Sequence, residues 1–194
     1  MSENLRTTKF SDGSEIPRVL RDNEWTEAGS IHKPAYCWVQ NDPNYVITYG
    51  NMYNWFVVDD SRKVCPQGWK VPFREDVEKM ISSLGGNSSA GRHMKTKGEA
   101  YWKPPGNLQT NQFSTNQSGF NARGSGSRFA EGGHSSFKTD AYYWCADVNN
   151  DTFDATGQMG MTGAQYYRVT VYDDQVNITD YWMNAGFAIR CIKE

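Results

Sequence analysis

No run of this chain approaches the roughly 20 apolar residues that a helix needs to cross a bilayer, so insertion into a membrane is not expected. No basic stretch stands out either, and the formal charge is only −2. Binding to nucleic acid through phosphate neutralisation therefore finds no support. The four cysteines, Cys37, Cys65, Cys145 and Cys191, include no CxxC pair, and the three histidines, His32, His93 and His134, are scattered. A zinc site is not expected on that spacing, and no persuasive Ser-His-Asp order emerges from three dispersed imidazoles. The opening MSENLRTTKFSDG has neither the apolar run nor the small-residue cleavage site of a secretion signal.

What the chain does have is aromatic rings and turn formers. Aromatics make up 14% of 194 residues against an apolar fraction of 38%, so a few large rings must build the core and leave much of the chain in polar loops. One domain over 1–194 is the expected organisation, since neither a repeat nor a linker interrupts it. An even number of widely spaced cysteines suits an oxidising compartment, while four buried thiols in a reducing one would satisfy the same count.

The first 35 residues alternate short apolar stretches with turns such as SDGSEIP at 11–17 and read as extended segments with no long helix. AYCWVQ at 35–40 reads as a strand closed by NDPN. In TYGNMYNWFVV at 48–58, Tyr49, Met52, Tyr53 and Phe56 recur at helical spacing, which predicts a first helix with a core-facing stripe. A second helix is predicted over 73–84, where Val77, Met80, Ile81 and Leu84 form one face, Glu75 and Asp76 favour its start, and Gly85-Gly86 stop it. Residues 87–140 are polar and glycine-rich and read as loops pinned by Trp102, Phe113, Phe120 and Phe129. Strands return at 141–148, 165–173, 175–179 and 186–194. In the second of these, Tyr167, Val169 and Val171 alternate with Arg168, Thr170 and Tyr172. The fold class is thus α+β, with two helices on a small, twisted, mostly antiparallel sheet and long loops.

Several segments in order, ENLRTTKFSDG (3–13), AYCW (35–38), TYGNMYNWFVV (48–58), CPQGWKVP (65–72), SSLGG (82–86), NQSGFNA (116–122) and GFAIRC (186–191), resemble the Fibrobacter succinogenes major paralogous domain over nearly the whole chain. The resemblance implies a C-type-lectin-like fold, in the version shared with formylglycine-generating enzymes, and a place in secreted or surface proteins. It implies that SENLR lies inside a longer segment, with a leader, anchor or partner domain upstream. It pairs Cys65 with Cys191, a closure that contributes on the order of 4–5 kcal/mol by chain entropy. Cys37 and Cys145 are left as a second candidate bridge. The sequence departs from the family pattern at ARGSGSRF (122–129), at WCADV (144–148), and at Met183, where a lysine is common.

Candidate function follows from residue types and from the resemblance together. Tyr142, Asp147, Asn149, Tyr166, Arg168, Thr170, Tyr172, Asp173, Asp174, Asn177, Asp180, Tyr181, Trp182 and Asn184 form a late segment rich in rings with few rotamers and in short hydrogen-bonding side chains. Such sets recognise proteins or carbohydrates. The expected site is the 166–184 face with a 142–150 loop, and the expected role is non-enzymatic ligand binding or adhesion at a bacterial cell surface or phage virion. The resemblance adds that some lectin-like domains of this version are diversified by retroelements. A structural subunit of an envelope or virion assembly is the alternative. Formylglycine-type oxidation trails, because its close cysteine pair has no counterpart here. No cofactor and no metal are expected: DVNNDTFD (147–154) spaces Asp147, Asn149 and Asp151 as a calcium loop does, but Thr152 replaces its glycine and Gln158 its glutamate.

Overall fold

The computed structural model describes residues 1–98, 100–103, 114–149 and 163–194. Its elements are α1 (Asp22–Ser30), β1 (Tyr36–Trp38), α2 (Val46–Tyr49), β2 (Asn51–Tyr53), α3 (Phe56–Asp59), β3 (Trp69–Lys70), α4 (Arg74–Ser83), α5 (Asn87–Met94), β4 (Ser127–Phe129), β5 (Gly132–Ser135), β6 (Asp140–Asn149), β7 (Gly163–Thr170), β8 (Val176–Trp182) and β9 (Ile192–Lys193). The class is α+β. All strand pairings within named sheets are antiparallel: β1 with β2, β3 with β9, β4 with β5, and the larger sheet in the order β6-β7-β8.

That larger sheet divides the core. One face packs with Tyr53, Trp55, Trp144, Phe187 and Ile189. The other carries Tyr143, Tyr167, Val169 and Val176 against Val77 and Ile81 of α4 and Ala90 and Met94 of α5. A third cluster gathers Trp25, Ala28, Cys37, Val39 and Met52 around α1. Early and late parts of the chain meet: Leu5 N–H donates to Ile189 O at 2.9 Å, and β3 pairs with β9. The disulfide Cys65–Cys191 closes this junction across 126 residues with Cα atoms 5.9 Å apart. Cys37 and Cys145 are free and buried in separate clusters, so they form no second bridge.

The predicted second helix is present as α4. Asp76 Oδ2 accepts the Phe73 N–H at 3.0 Å, which supplies the cap that a phenylalanine cannot. The predicted helix over 48–58 is instead broken into α2, β2 and α3. Gly50 turns the chain at φ 76°, and an added Cβ there would lie 2.6 Å from Asn4 Cβ and 2.7 Å from Leu5 O. Asn51 to Tyr53 then pair with β1, and all three are buried. Helical spacing of apolar residues was mimicked by a short stretch enclosed on every side.

Two further helices lie where extended chain or loop is expected. The α1 sequence DNEWTEAGS buries Trp25, Ala28 and Gly29. Trp25 Nε1 donates to Asn184 O at 2.8 Å, fixing the helix by one indole. The α5 sequence NSSAGRHM uses smallness: Gly91 N–H donates to Asp174 O at 2.8 Å, and a Cβ at Gly91 would meet that oxygen at 2.7 Å. The region 87–140 also contains the β4–β5 hairpin. Of its expected anchors, Trp102 is fully buried, Phe129 is exposed, and Phe113 lies outside the described residues.

Candidate functional site

Register sorts the late aromatic residues onto two sides of the sheet. Tyr142 pairs with Arg168, Trp144 with Tyr166, Arg168 with Asn177, Tyr166 with Thr179, and Ala164 with Tyr181. Because side chains alternate along each strand, these residues share one face. Tyr143, Tyr167, Ile178, Asp180 and Trp182 belong to the other. Residues 142–149 are strand rather than loop, and they make up all of β6 but its first two residues.

Phe187 is the hub of the first face. Its ring lies 4.3 Å from Trp144, 5.0 Å from both Tyr142 and Tyr166, and 6.0 Å from Tyr181, centroid to centroid. Phe187 and Trp144 are buried, whereas the three tyrosines are half-buried. Their inner edges are locked by packing while their outer edges meet solvent. Burial raises the Tyr142 hydroxyl pKa, helped by the charge of Asp140, and pushes Tyr166 up to about 12. Both phenols are neutral at pH 7, as an ordinary phenol is, and the Tyr142 hydroxyl lies within reach of Ser136 and Arg168.

Arg168 stands directly across from Tyr142, a little over a third exposed. Its Nη1 reaches Asp140 Oδ1 at 3.8 Å, and its Nε is buried without an acceptor among the described residues. Asn177 and Thr179 continue the polar part of this face, and neither side chain has a hydrogen-bond partner among the described residues. The resulting patch, Tyr142, Tyr166, Arg168, Asn177, Thr179 and Tyr181, combines flat rings, a cation and uncommitted amide and hydroxyl groups. Thr179 was missed by composition alone. Its signal was the alternation of VNITDYW, read with a register that only pairing supplies.

The remaining candidates go elsewhere. Thr170 is 2% exposed, so its expected exposure is corrected: its Oγ1 accepts the Tyr172 N–H at 3.3 Å inside the hairpin end. Tyr172 is exposed, and Asp173 Oδ1 accepts Gln175 N–H at 2.9 Å in the turn that follows. Asp174 is committed to Arg92 at 2.8 Å and Lys95 at 3.3 Å. Asp180 and the exposed Trp182 face away from the tyrosine patch. Asp147 Oδ2 accepts the Arg74 N–H at 2.5 Å and so caps α4 from a neighbouring strand. Asn149 ends β6 opposite Gly163, and Asn184 packs beside Gly29. Asp151, Thr152 and Gln158 of the calcium-like run lie outside the described residues. Among those described, no group of three His, Cys, Asp or Glu side chains is placed to hold a metal, and no helix is long and apolar enough to cross a membrane.

A tyrosine-faced antiparallel sheet backed by two helices and tied by one disulfide defines an α+β domain whose conspicuous surface is aromatic and polar. The chain belongs to the Fibrobacter succinogenes major domain family, which it matches over residues 1–193. Comparison with curated proteins and with solved structures returned no match.

Proposed function

We propose that this chain is a non-enzymatic recognition domain with a lectin-like arrangement, which grips a protein or glycan at a cell or virion surface through the tyrosine face of β6-β7-β8. The observation that carries this reading is the set of three half-buried tyrosines held by Phe187 beside Arg168, Asn177 and Thr179. Rings fixed from behind lose little entropy on binding, and uncommitted polar groups next to them supply direction. The disulfide supports an oxidising, extracellular setting. Burial pushes the Cys37 thiol up to about 11 and raises Cys145 as well, the reverse of what a reactive thiol requires, which favours binding over cysteine chemistry.

The test is a glycan-array and surface-protein screen, followed by the triple variant Arg168→Ala, Asn177→Ala, Thr179→Ala on whatever binds. Affinity should fall at least about tenfold with the melting temperature little changed. Unaltered binding by the triple variant would remove this face from the recognition surface and leave a structural role in an assembly as the better reading.

A further inference from the structure

Arginine is rarely buried without a carboxylate beside it, because a desolvated guanidinium must recover its lost hydration. Arg190 is 3% exposed and has no ion pair among the described residues. Its Nε donates to Asn4 Oδ1 at 3.0 Å, Nη2 donates to the same oxygen, and Nη1 donates to Phe120 O. The rings of Phe120 and Tyr143 lie 4.1 and 5.4 Å from its central carbon. A guanidinium carries five N–H donors in a rigid fork, so these three bonds leave donors unspent.

The same side chain lines a cavity of about 160 Å³. Val77 and Met80 of α4, Phe120 and Ile192 give it a mainly apolar wall, with Tyr167 as a further polar-tipped ring; Met1 also lines it, its ammonium donating to Cys191 O at 3.1 Å. Asp76 also borders it, but that carboxylate is already committed to Lys70 at 2.9 Å and to the Phe73 N–H. A mainly apolar chamber whose lining holds a guanidinium with no carboxylate partner among the described residues is complementary to one ligand chemistry.

We infer that this cavity binds a small monocarboxylate with a compact apolar body, its carboxylate on Arg190 and its body against Val77, Met80 and Ile192. Size agrees, since an apolar cavity of about 150 Å³ accommodates benzene. Charge supplies the selectivity, because a carboxylate takes two charge-paired hydrogen bonds from Arg while a neutral isostere keeps only the weaker bond to its carbonyl. The site is distinct from the tyrosine face: Tyr167 projects to the opposite side of the sheet from Tyr166, so the two surfaces are separated by the sheet itself.

Sodium benzoate and benzamide, titrated at constant ionic strength, form a matched pair of probes. Benzoate should raise the melting temperature by about 3–5 °C at ten times its dissociation constant and shift methyl and ring resonances of Met80 and Phe120, while benzamide at the same concentration gives a much smaller response. Replacing Arg190 endangers folding, so the control is Met80→Trp, which fills the chamber and leaves the guanidinium intact. That variant should remain folded by circular dichroism and lose the benzoate response. Equal responses to the two probes, no response to benzoate, or a benzoate response that survives in folded Met80→Trp would each overturn the inference.

Discussion

Lys95→Met offers a sharp test of how the β6-β7-β8 sheet is held. Lys95 is 2% exposed, and its ammonium donates to Thr170 O at 3.1 Å, Asp173 O at 2.6 Å and Asp174 Oδ1 at 3.3 Å. It thereby ties the β7–β8 connection to the end of α5. Methionine keeps the apolar stem and removes only the charged donor. Hydrogen bonds to charged groups are worth about 1.5–3 kcal/mol each when broken. Two circumstances reduce the sum. Asp173 lies at the surface, where water can replace the donor, and Asp174 keeps its second partner, Arg92, whose Nε and Nη2 reach Oδ2 at 3.0 and 2.8 Å. The net loss should be about 3 kcal/mol, or roughly 6–12 °C in melting temperature for a chain of this size. Amide exchange locates the effect: Gly91 N–H, which donates to Asp174 O, should lose protection well before the centre of β7. A melting temperature within about 2 °C of wild type, with Gly91 still protected, would refute the idea that this buried ammonium holds the hairpin.

Other consequences are as direct. Burial and the nearby Arg128 charge hold His134 down at about 4, and neither ring nitrogen has a hydrogen-bond partner among the described residues, so this site disfavours proton uptake in the folded state. The unfolded chain binds the proton near pH 6.5, so the stability contributed here is complete above that value and declines as pH falls toward 4; discounted for partial exposure it amounts to about 1–2 kcal/mol. Urea titrations at pH 7.5 and 4.5 should show His134→Gln losing less than wild type on acidification, and identical losses would contradict this. Replacing both Cys65 and Cys191 by serine should cost about 4–5 kcal/mol in denaturant unfolding, and a loss below about 1 kcal/mol would mean that the reduced unfolded chain is already constrained. Tyr172→Ala and Trp182→Ala should stay within about 0.5 kcal/mol of wild type, whereas Tyr181→Ala, stripped from Phe187, should cost about 2 kcal/mol. Equal losses for all three would misplace the boundary between core and surface.

Periodicity alone found α4 because four aliphatic residues mark one face and acids precede a double glycine. It failed for α1 and α5 for a shared physical reason. Each buries one large side chain among small ones, Trp25 with Ala28 and Gly29 in α1 and Met94 with Ala90 and Gly91 in α5, so the buried stripe is too weakly apolar to stand out in the sequence. Between residues 48 and 58 the opposite occurred: enclosure from every direction produced spacing that imitates a helix. In β7 the alternation separated Tyr167 and Val169 from Tyr166 and Arg168, and that much of the patch was legible. Which neighbours join them depends on strand register, set by partners distant in sequence, so Thr179 was overlooked while Asp180 and Trp182 were included. Asp147 illustrates the limit of reading by residue type, since a carboxylate suited to a ligand instead satisfies the start of a helix 73 residues away. Arg190 gave no signal as a charged residue because nothing local marks an arginine as buried.

The Cys65–Cys191 bridge also determines how the domain carries mechanical load. Tension entering before Cys65 and leaving after Cys191 passes through two sulfur atoms and bypasses the whole tyrosine-faced sheet. While the bond is intact the strands of that sheet are not themselves in the path of the load. Its reduction would release a hidden length of roughly 40 nm, at about 3.3 Å per residue over the 126-residue separation.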